Sequence, residues 1–251
     1  MKTLDAIRSR SSVRAFDPRQ VQPELIERII EISLQAPSAC NIQPYRLALA
    51  TGETWDALRV QLVRSAQSEP NAHEIPWSIR YPERYSQRQR EAGFGLYKTL
   101  GIGREDHESR QRQFLHNYRG FDAPAVLFLF SDRELGAYAA LDLGIWMQTF
   151  MLAAHSHGLG SVAQTSLAAY PDLVRSCFDV PDYMLLACAI SFGYPKQDAK
   201  VNGFSPRRVG VEQMMLQPQE RLERDVRLDP TQGPRMRRKA TTLVEKALCS
   251  T

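Results

Sequence analysis

Three short apolar runs, each set between stretches of helical periodicity, predict a mixed α and β fold with few strands. The runs are Tyr45 to Ala50, Ala125 to Phe130 and Met184 to Ile190, the second reading VLFLF-like as a buried strand. A long, almost wholly apolar segment, Leu135 to Ala154, is the third observation: it reads as a core helix of a large domain, buried on most sides.

Taken in order, Thr3 to Arg10 forms a short helix, and Gln22 to Gln35 a second one that places Leu25, Ile26, Ile29 and Ile30 on one face. Pro37 stops it, and the small polar run Ser38-Ala39-Cys40-Asn41 leads as a loop through Pro44 into the first strand. Trp55 to Gln67 is helical. Ser68 to Gln89 is polar, contains Pro70, Pro76 and Pro82, and carries Trp77, Tyr81 and Tyr85, which suits a lid or binding loop, with disorder the equal alternative. Helix resumes from Glu91 to Tyr118, broken at Gly101 or Gly103. Beyond the core helix, Gly158 and Gly160 mark its end, and Gly158 to Gln164 reads as a glycine-containing loop. Pro171 to Phe178 is a short helix before the last strand.

This gives one domain over residues 1–216, with a helical and loop excursion at about 68–121, and a basic extension over 217–251 that is partner-wrapping or flexible. Arg235 to Lys239 is the most basic part of that extension, but one run without interleaved aromatics is weak evidence for nucleic-acid binding.

At 251 residues the chain can bury a sizeable core without disulfides or metal. With 43% hydrophobic and 24% charged residues it is globular in composition, and a net charge of +4 falls far short of a nucleic-acid-binding signature. Four cysteines without CxxC spacing, and an N-terminus with charges scattered through it, suit a reducing compartment, so a cytoplasmic protein is expected. Asp142 and Gln148 within the apolar helix argue against a membrane span.

Three constellations can carry chemistry. Arg8 to Arg14 gathers three guanidinium groups and three hydroxyls, the groups that hold phosphate and oxygen-rich ring edges, although a solvated helix end would look the same. Pro37 to Pro44 offers hydroxyls and amides at the mouth of a strand, where turn chemistry alone is the alternative. The glycines of Gly158 to Gln164 let backbone approach a flat ligand, or simply cap a helix. No zinc, Walker A, HExxH or GxSxG pattern is present, no metal is expected, and no side chain is singled out as a catalytic acid or base. Cys40 as a nucleophile is a rival reading, without an identified base.

Read together, AIRSRSSVRAFD, APSACNIQPY, GLGSVAQ, ISFGYP and the basic pair at Arg207 and Arg208 resemble the nitroreductase family, in order, from residue 6 to about 214. The stretches YPERY, LYKTLGI and NYRGFDAP further resemble its nitrobenzoate-reductase-like branch. The resemblance implies an α+β nitroreductase-like fold, a central, mostly antiparallel sheet flanked by helices, in an intertwined homodimer with FMN at the interface. It implies electron transfer from NADH or NADPH to nitroaromatic or related small aromatic acceptors by a ping-pong hydride mechanism, the chemistry residing at the flavin. It assigns Arg10, Ser11, Ser12 and Arg14 to phosphate, ribityl chain and pyrimidine edge, and Arg208, helped by Arg207, to phosphate. Pro37, Ser38, Ala39, Asn41 and Gln43 fall on the loop that covers the flavin, usually from the partner subunit. Gln164, with the backbone of Thr165, falls where an amide meets flavin N5, and Asn117 and Arg119 fall near the pyrimidine end. Trp77, Tyr81, Tyr85, Phe94, Tyr97 and Phe121 are candidates to line the acceptor slot, with core packing the alternative for Phe94 and Phe121. Tyr45 departs from the family's common tryptophan. Dehalogenases, enone or quinone reductases, flavin-fragmenting enzymes and a non-catalytic flavin-binding interaction protein share enough of these features to stand as alternatives.

Overall fold

The structure, a computed structural model, describes residues 1–76 and 80–216; Trp77 and the 217–251 extension lie outside them. The chain divides into a unit of Met1–Arg207 and a second that begins at Arg208, whose described part holds one short helix, Val211–Met214. Within the first unit, helices α1 (Thr3–Ser9) and α2 (Pro23–Ser33) precede β1 (Tyr45–Thr51) and α3 (Gly52–Ser68). Helices α4 (Glu83–Leu100) and α5 (His107–His116) form the excursion, followed by β2 (Ala125–Asp132) and α6 (Gly136–Ser156). The unit continues through β3 (Gly160–Gln164), α7 (Pro171–Arg175) and β4 (Met184–Gly193).

The four strands make one antiparallel sheet in the order β1-β2-β4-β3. Side chains alternate across a strand, so β2 sends Leu127 and Leu129 to one face and Val126, Phe128 and Phe130 to the other. The first face packs on Trp146 and Phe150 of α6 and Ile26 and Ile29 of α2; the second packs on Trp55, Leu58 and Leu62 of α3 and Val174 of α7. With both faces covered, β2 needs apolar residues at every position, which is why it reads as an unbroken hydrophobic run. Each large side chain removed from water in this way contributes about 1.5–3 kcal/mol. The β2–β4 register slips between Leu129 and Phe130, where Leu129 faces Cys188 and Phe130 faces Leu186, so β4 accommodates Ala187 as an extra residue.

Three sequence expectations are corrected. Gly158 to Gln164 is not all loop: Gly160–Gln164 is a fourth strand, paired from Gly160 with Gly193 to Gln164 with Ala189. Five residues that begin with glycine carry too little β-branched pattern to announce it. Helix α4 begins at Glu83, not Glu91, because its first two turns are polar except for Tyr85 and hide the helical period. Helix α6 is not buried on most sides: Leu143, Trp146 and Phe150 face the core, but Tyr138, Leu141 and Ile145 are 75%, 63% and 42% exposed in the single chain. The break in the excursion is at Gly101, whose φ of +72° ends α4 in the left-handed conformation that glycine adopts without steric cost.

Candidate active site

The N-terminal run reaches the sheet through its backbone. Ser12 bridges Ser161 in parallel, the Val13 amide donates to the Ser161 carbonyl at 3.1 Å, and this lays residues 12–13 along the outer edge of β3. Glycine at 160 permits the approach, since a Cβ there would sit 2.5 Å from Val13 Cγ2. Asn202 then fixes the next two residues: its Oδ1 accepts from the amides of Arg14 and Ala15 at 2.8 and 3.1 Å, and its Nδ2 donates to the Ala15 carbonyl at 2.8 Å.

Arg14 is thereby directed into a cleft of about 690 Å³ whose far walls are the end of β3 with Thr165 and Ser166, the turn after α5, the segment before α4, and α4 itself. Burial lowers the Arg14 pKa from its ordinary value. Among the described residues its guanidinium meets one carbonyl, that of Ser12 at 3.3 Å, and no carboxylate. A half-buried cation of this kind is satisfied by an anion in the cleft.

Gln164, at the end of β3, is buried and fully engaged: its Oε1 accepts from Ser191 Oγ at 2.6 Å and its Nε2 donates to the Asn117 carbonyl at 2.8 Å. Its side chain therefore ties the sheet to the turn after α5, and residues 162–166 line the cleft. That turn is left-handed, with φ of +58°, +56° and +58° at Gly120, Phe121 and Asp122. It is held by Asp122, which accepts from His116 Nε2 at 2.8 Å and from Arg119 Nε at 2.9 Å, and by Trp55 Nε1 donating to the Ala123 carbonyl at 2.9 Å. The Phe121 ring meets His116 edge-on at 5.4 Å.

A second wall comes from residues 69–76. The Ala72 amide donates to the Ala169 carbonyl at 2.8 Å, the Tyr170 hydroxyl donates to the Glu69 carbonyl at 3.1 Å, and Glu74 clamps the end of the segment. Glu74 accepts from Arg133, from Arg175 at 3.0 Å and from the Leu186 amide at 2.6 Å. Burial pushes the Glu74 carboxyl pKa up, but these donors outweigh it and hold the group below the ordinary carboxylate range. The clamped segment presents Asn71 and His73 to the cleft, and burial lowers the His73 pKa.

Of the residues singled out in the sequence, the cleft gathers Arg14, Asn117, Gln164, Thr165, Tyr81 and Phe121. Arg10, Ser11 and Ser12 approach it along the same strand-like segment without lining it, and Arg119 turns to Asp122 instead. Tyr85, Phe94 and Tyr97 stand outside it on α4, and Phe94 is exposed rather than core-packed, with Arg104 over its ring at 4.9 Å. Arg207 ends the first unit and Arg208 begins the second.

The loop of Pro37, Ser38, Ala39, Asn41 and Gln43 does not line this cleft in the single chain. It is tied to the side of α6: the Ala39 amide donates to both oxygens of Asp142 at 3.2 Å, and Ser38 Oγ accepts from the Gln43 amide at 3.0 Å. Cys40, Asn41 and Gln43 have φ of +49°, +59° and +47°, a strained arrangement for three non-glycine residues. Cys40 is exposed, and among the described residues no histidine hydrogen-bonds it, so the cysteine-nucleophile reading gains no base. The Tyr45 ring lies buried 5.7 Å from Trp146.

Sequence reasoning missed Asn71, His73, Gln89 and Asn202. Asn202 acts on residues 188 and 187 positions away, and no local pattern marks it. Asn71 and His73 lay within a segment legible only as polar. Among the described residues no cluster of metal-ligating side chains occurs, and no helix is long and apolar enough to cross a membrane.

Comparison with known proteins agrees with this geometry. Residues 7–194 match the model of the Nitroreductase family. A nitroreductase NfnB of Mycolicibacterium smegmatis is 36% identical over 210 residues, covering 82% of this chain and 88% of that protein. A 4-nitrobenzoate reductase of Pseudomonas putida is 34% identical over 199 residues, covering 78% and 86%. Among solved structures, an FMN and NADPH-dependent nitroreductase NfnB from Sphigopyxis sp. strain HMH superposes with a TM-score of 0.83 at 34% identity, covering 87% of this chain and all of that one. The M. smegmatis FMN-dependent nitroreductase, solved in complex with NADPH, superposes at 0.81 with 32% identity, covering 86% and 97%. A cleft lined by Arg14 and by the end of β3, and a match over most of the chain, converge on one assignment: this protein belongs to the nitroreductase family.

Proposed function

We propose that the protein is an FMN-dependent oxidoreductase that passes electrons from NAD(P)H to nitroaromatic acceptors. The observation that carries this reading is the desolvated Arg14 guanidinium opening into the 690 Å³ cleft without a carboxylate partner among the described residues. The donor set fits a flavin. A cation faces the cavity, a strand end supplies main-chain groups for a flat ring, Asn117 and Asn71 offer amides, and the volume is that of a ligand site.

When bound, FMN supplies the redox chemistry that the side chains lack. Arg14 would then stabilise negative charge on the ring edge, and Arg10, Ser11, Ser12 and Arg207 would hold the phosphate and ribityl chain. The backbone of Thr165 orients the ring, Gln164 keeps that backbone and Asn117 in register, and Tyr81 and Phe121 flank the acceptor. Asn71 and His73 add polar contacts to the same slot. A cytoplasmic location agrees with the free thiols of Cys40, Cys177 and Cys188.

The working form in this reading is a homodimer. It is supported by the exposed Tyr138, Leu141 and Ile145 stripe on α6, and by the strained, exposed loop at 37–43 beside it, which would cover the partner's flavin.

The test is spectroscopic. Natively purified protein should be yellow, bleach on anaerobic addition of NADPH or NADH, and recover colour with a nitroarene. Failure to bind FMN after reconstitution would overturn the reading; flavin that neither donor reduces would leave only the flavin-binding interaction protein.

A further inference from the structure

We infer that the Arg84, Tyr85 and Arg88 cluster on α4 is the recognition site for the 2′-phosphate of NADPH, making this chain selective for NADPH over NADH. The inference rests on the donor reading above and deepens it. The two guanidinium groups gather at one aromatic ring, Arg84 at 4.8 Å and Arg88 at 5.8 Å from the Tyr85 centroid. A hydrogen bond from Arg84, with its charge, also lowers the Tyr85 pKa, so all three side chains form one cationic surface.

The helix does not neutralise that surface. Glu83 pairs with Arg90, and Glu91 accepts from Gln87 Nε2 at 3.0 Å. Among the described residues neither Arg84 nor Arg88 has a carboxylate partner. Two like charges at i and i+4 oppose helix formation, so keeping them without a counter-charge is a local cost that a bound dianion removes. Guanidinium groups suit such a ligand, since their forked donors match phosphate oxygens in pairs.

Position selects the ligand. Gln89 and Tyr81 both line the cleft, and Tyr85 falls between them, one helical turn before Gln89 on the same face, without lining it. The cluster therefore stands outside the lined volume, at its rim. With the nicotinamide in the cleft, the adenosine half of the donor extends outward and carries the 2′-phosphate, the only group that distinguishes NADPH from NADH. An arginine beside the ribose is how dinucleotide sites generally accommodate that phosphate. A carboxylate on an aromatic acceptor, by contrast, stays within the span of one ring inside the cleft.

The experiment compares donors on the flavin-loaded enzyme, using wild type, Arg84→Ala/Arg88→Ala and Arg84→Lys/Arg88→Lys. The alanine pair should raise KM for NADPH 10- to 100-fold while KM for NADH moves less than threefold, and the lysine pair should fall between. In the wild type, 2′,5′-ADP should inhibit competitively with NADPH far more strongly than ADP, and the alanine pair should lose that difference. An equal rise for both donors, or no rise, would overturn the inference and leave the flavin reading intact. A rise confined to KM for 4-nitrobenzoate would overturn it by assigning the cluster to an acceptor carboxylate. Flavin that neither donor reduces would remove the donor reading and this inference together.

Discussion

Arg14 shows how far a single residue was legible. Its place in Arg10-Ser11-Ser12-Val13-Arg14 allowed an anion-binding role that only the family resemblance assigned, and the structure puts it in the cleft. What aims it there, the Asn202 side chain on the Arg14 and Ala15 amides, has no signature at all, because a long-range side-chain contact leaves no local period. Gln164 was legible as a site residue but not its manner of acting, since a buried amide's partners depend on register with Ser191 and on the Asn117 carbonyl. Replacing Arg14 by alanine removes a charge-assisted contact of about 1.5–3 kcal/mol, so FMN should bind roughly 10- to 100-fold more weakly; fluorescence titration of released flavin measures it. Affinity unchanged within a factor of two would remove Arg14 from the flavin site.

At the scale of elements, the excursion was read as a polar segment followed by a broken helix, and the structure gives two helices after a segment whose clamping was not legible. The clamp is Glu74, and its depressed pKa fixes the sign of a pH effect. Its contribution is fully present above the ordinary glutamate value and is lost as pH falls through the lower folded value. Glu74→Gln should cost about 1.5–3 kcal/mol at neutral pH, and urea denaturation midpoints of variant and wild type should converge as the pH approaches that value. A gap constant down to acid pH would show that the carboxylate charge is not what holds the segment. The left-handed turn at Gly120 makes a separate case. A Cβ there would fall 2.7 Å from the Trp55 ring and 2.8 Å from Ser191 Oγ, at a φ of +58°. Gly120→Ala should therefore destabilise by more than about 1 kcal/mol, seen as a lowered Tm with weakened FMN retention. The three apolar runs were legible as strands because both faces of the sheet are covered. β3 was not, because its pairing with β4 is dictated by a partner sequence rather than by its own.

For the whole molecule, the exposed stripe on α6 is the part that a single chain leaves unexplained. Leu141→Asp should convert the proposed dimer to a monomer, checked by sedimentation velocity, and should release flavin along with it. A variant that remains dimeric would locate the interface elsewhere. The seam at Gly160 has a further consequence. Because residues 12–13 lie against the outer edge of β3, the strand offers no free row of amides and carbonyls there, and the segment that carries the anion-binding arginine also acts as a guard on the sheet. A side chain at Gly160 would lift that guard and open this strand edge to pairing with another molecule, so the same missing Cβ that seats the arginine segment also covers this edge of the sheet.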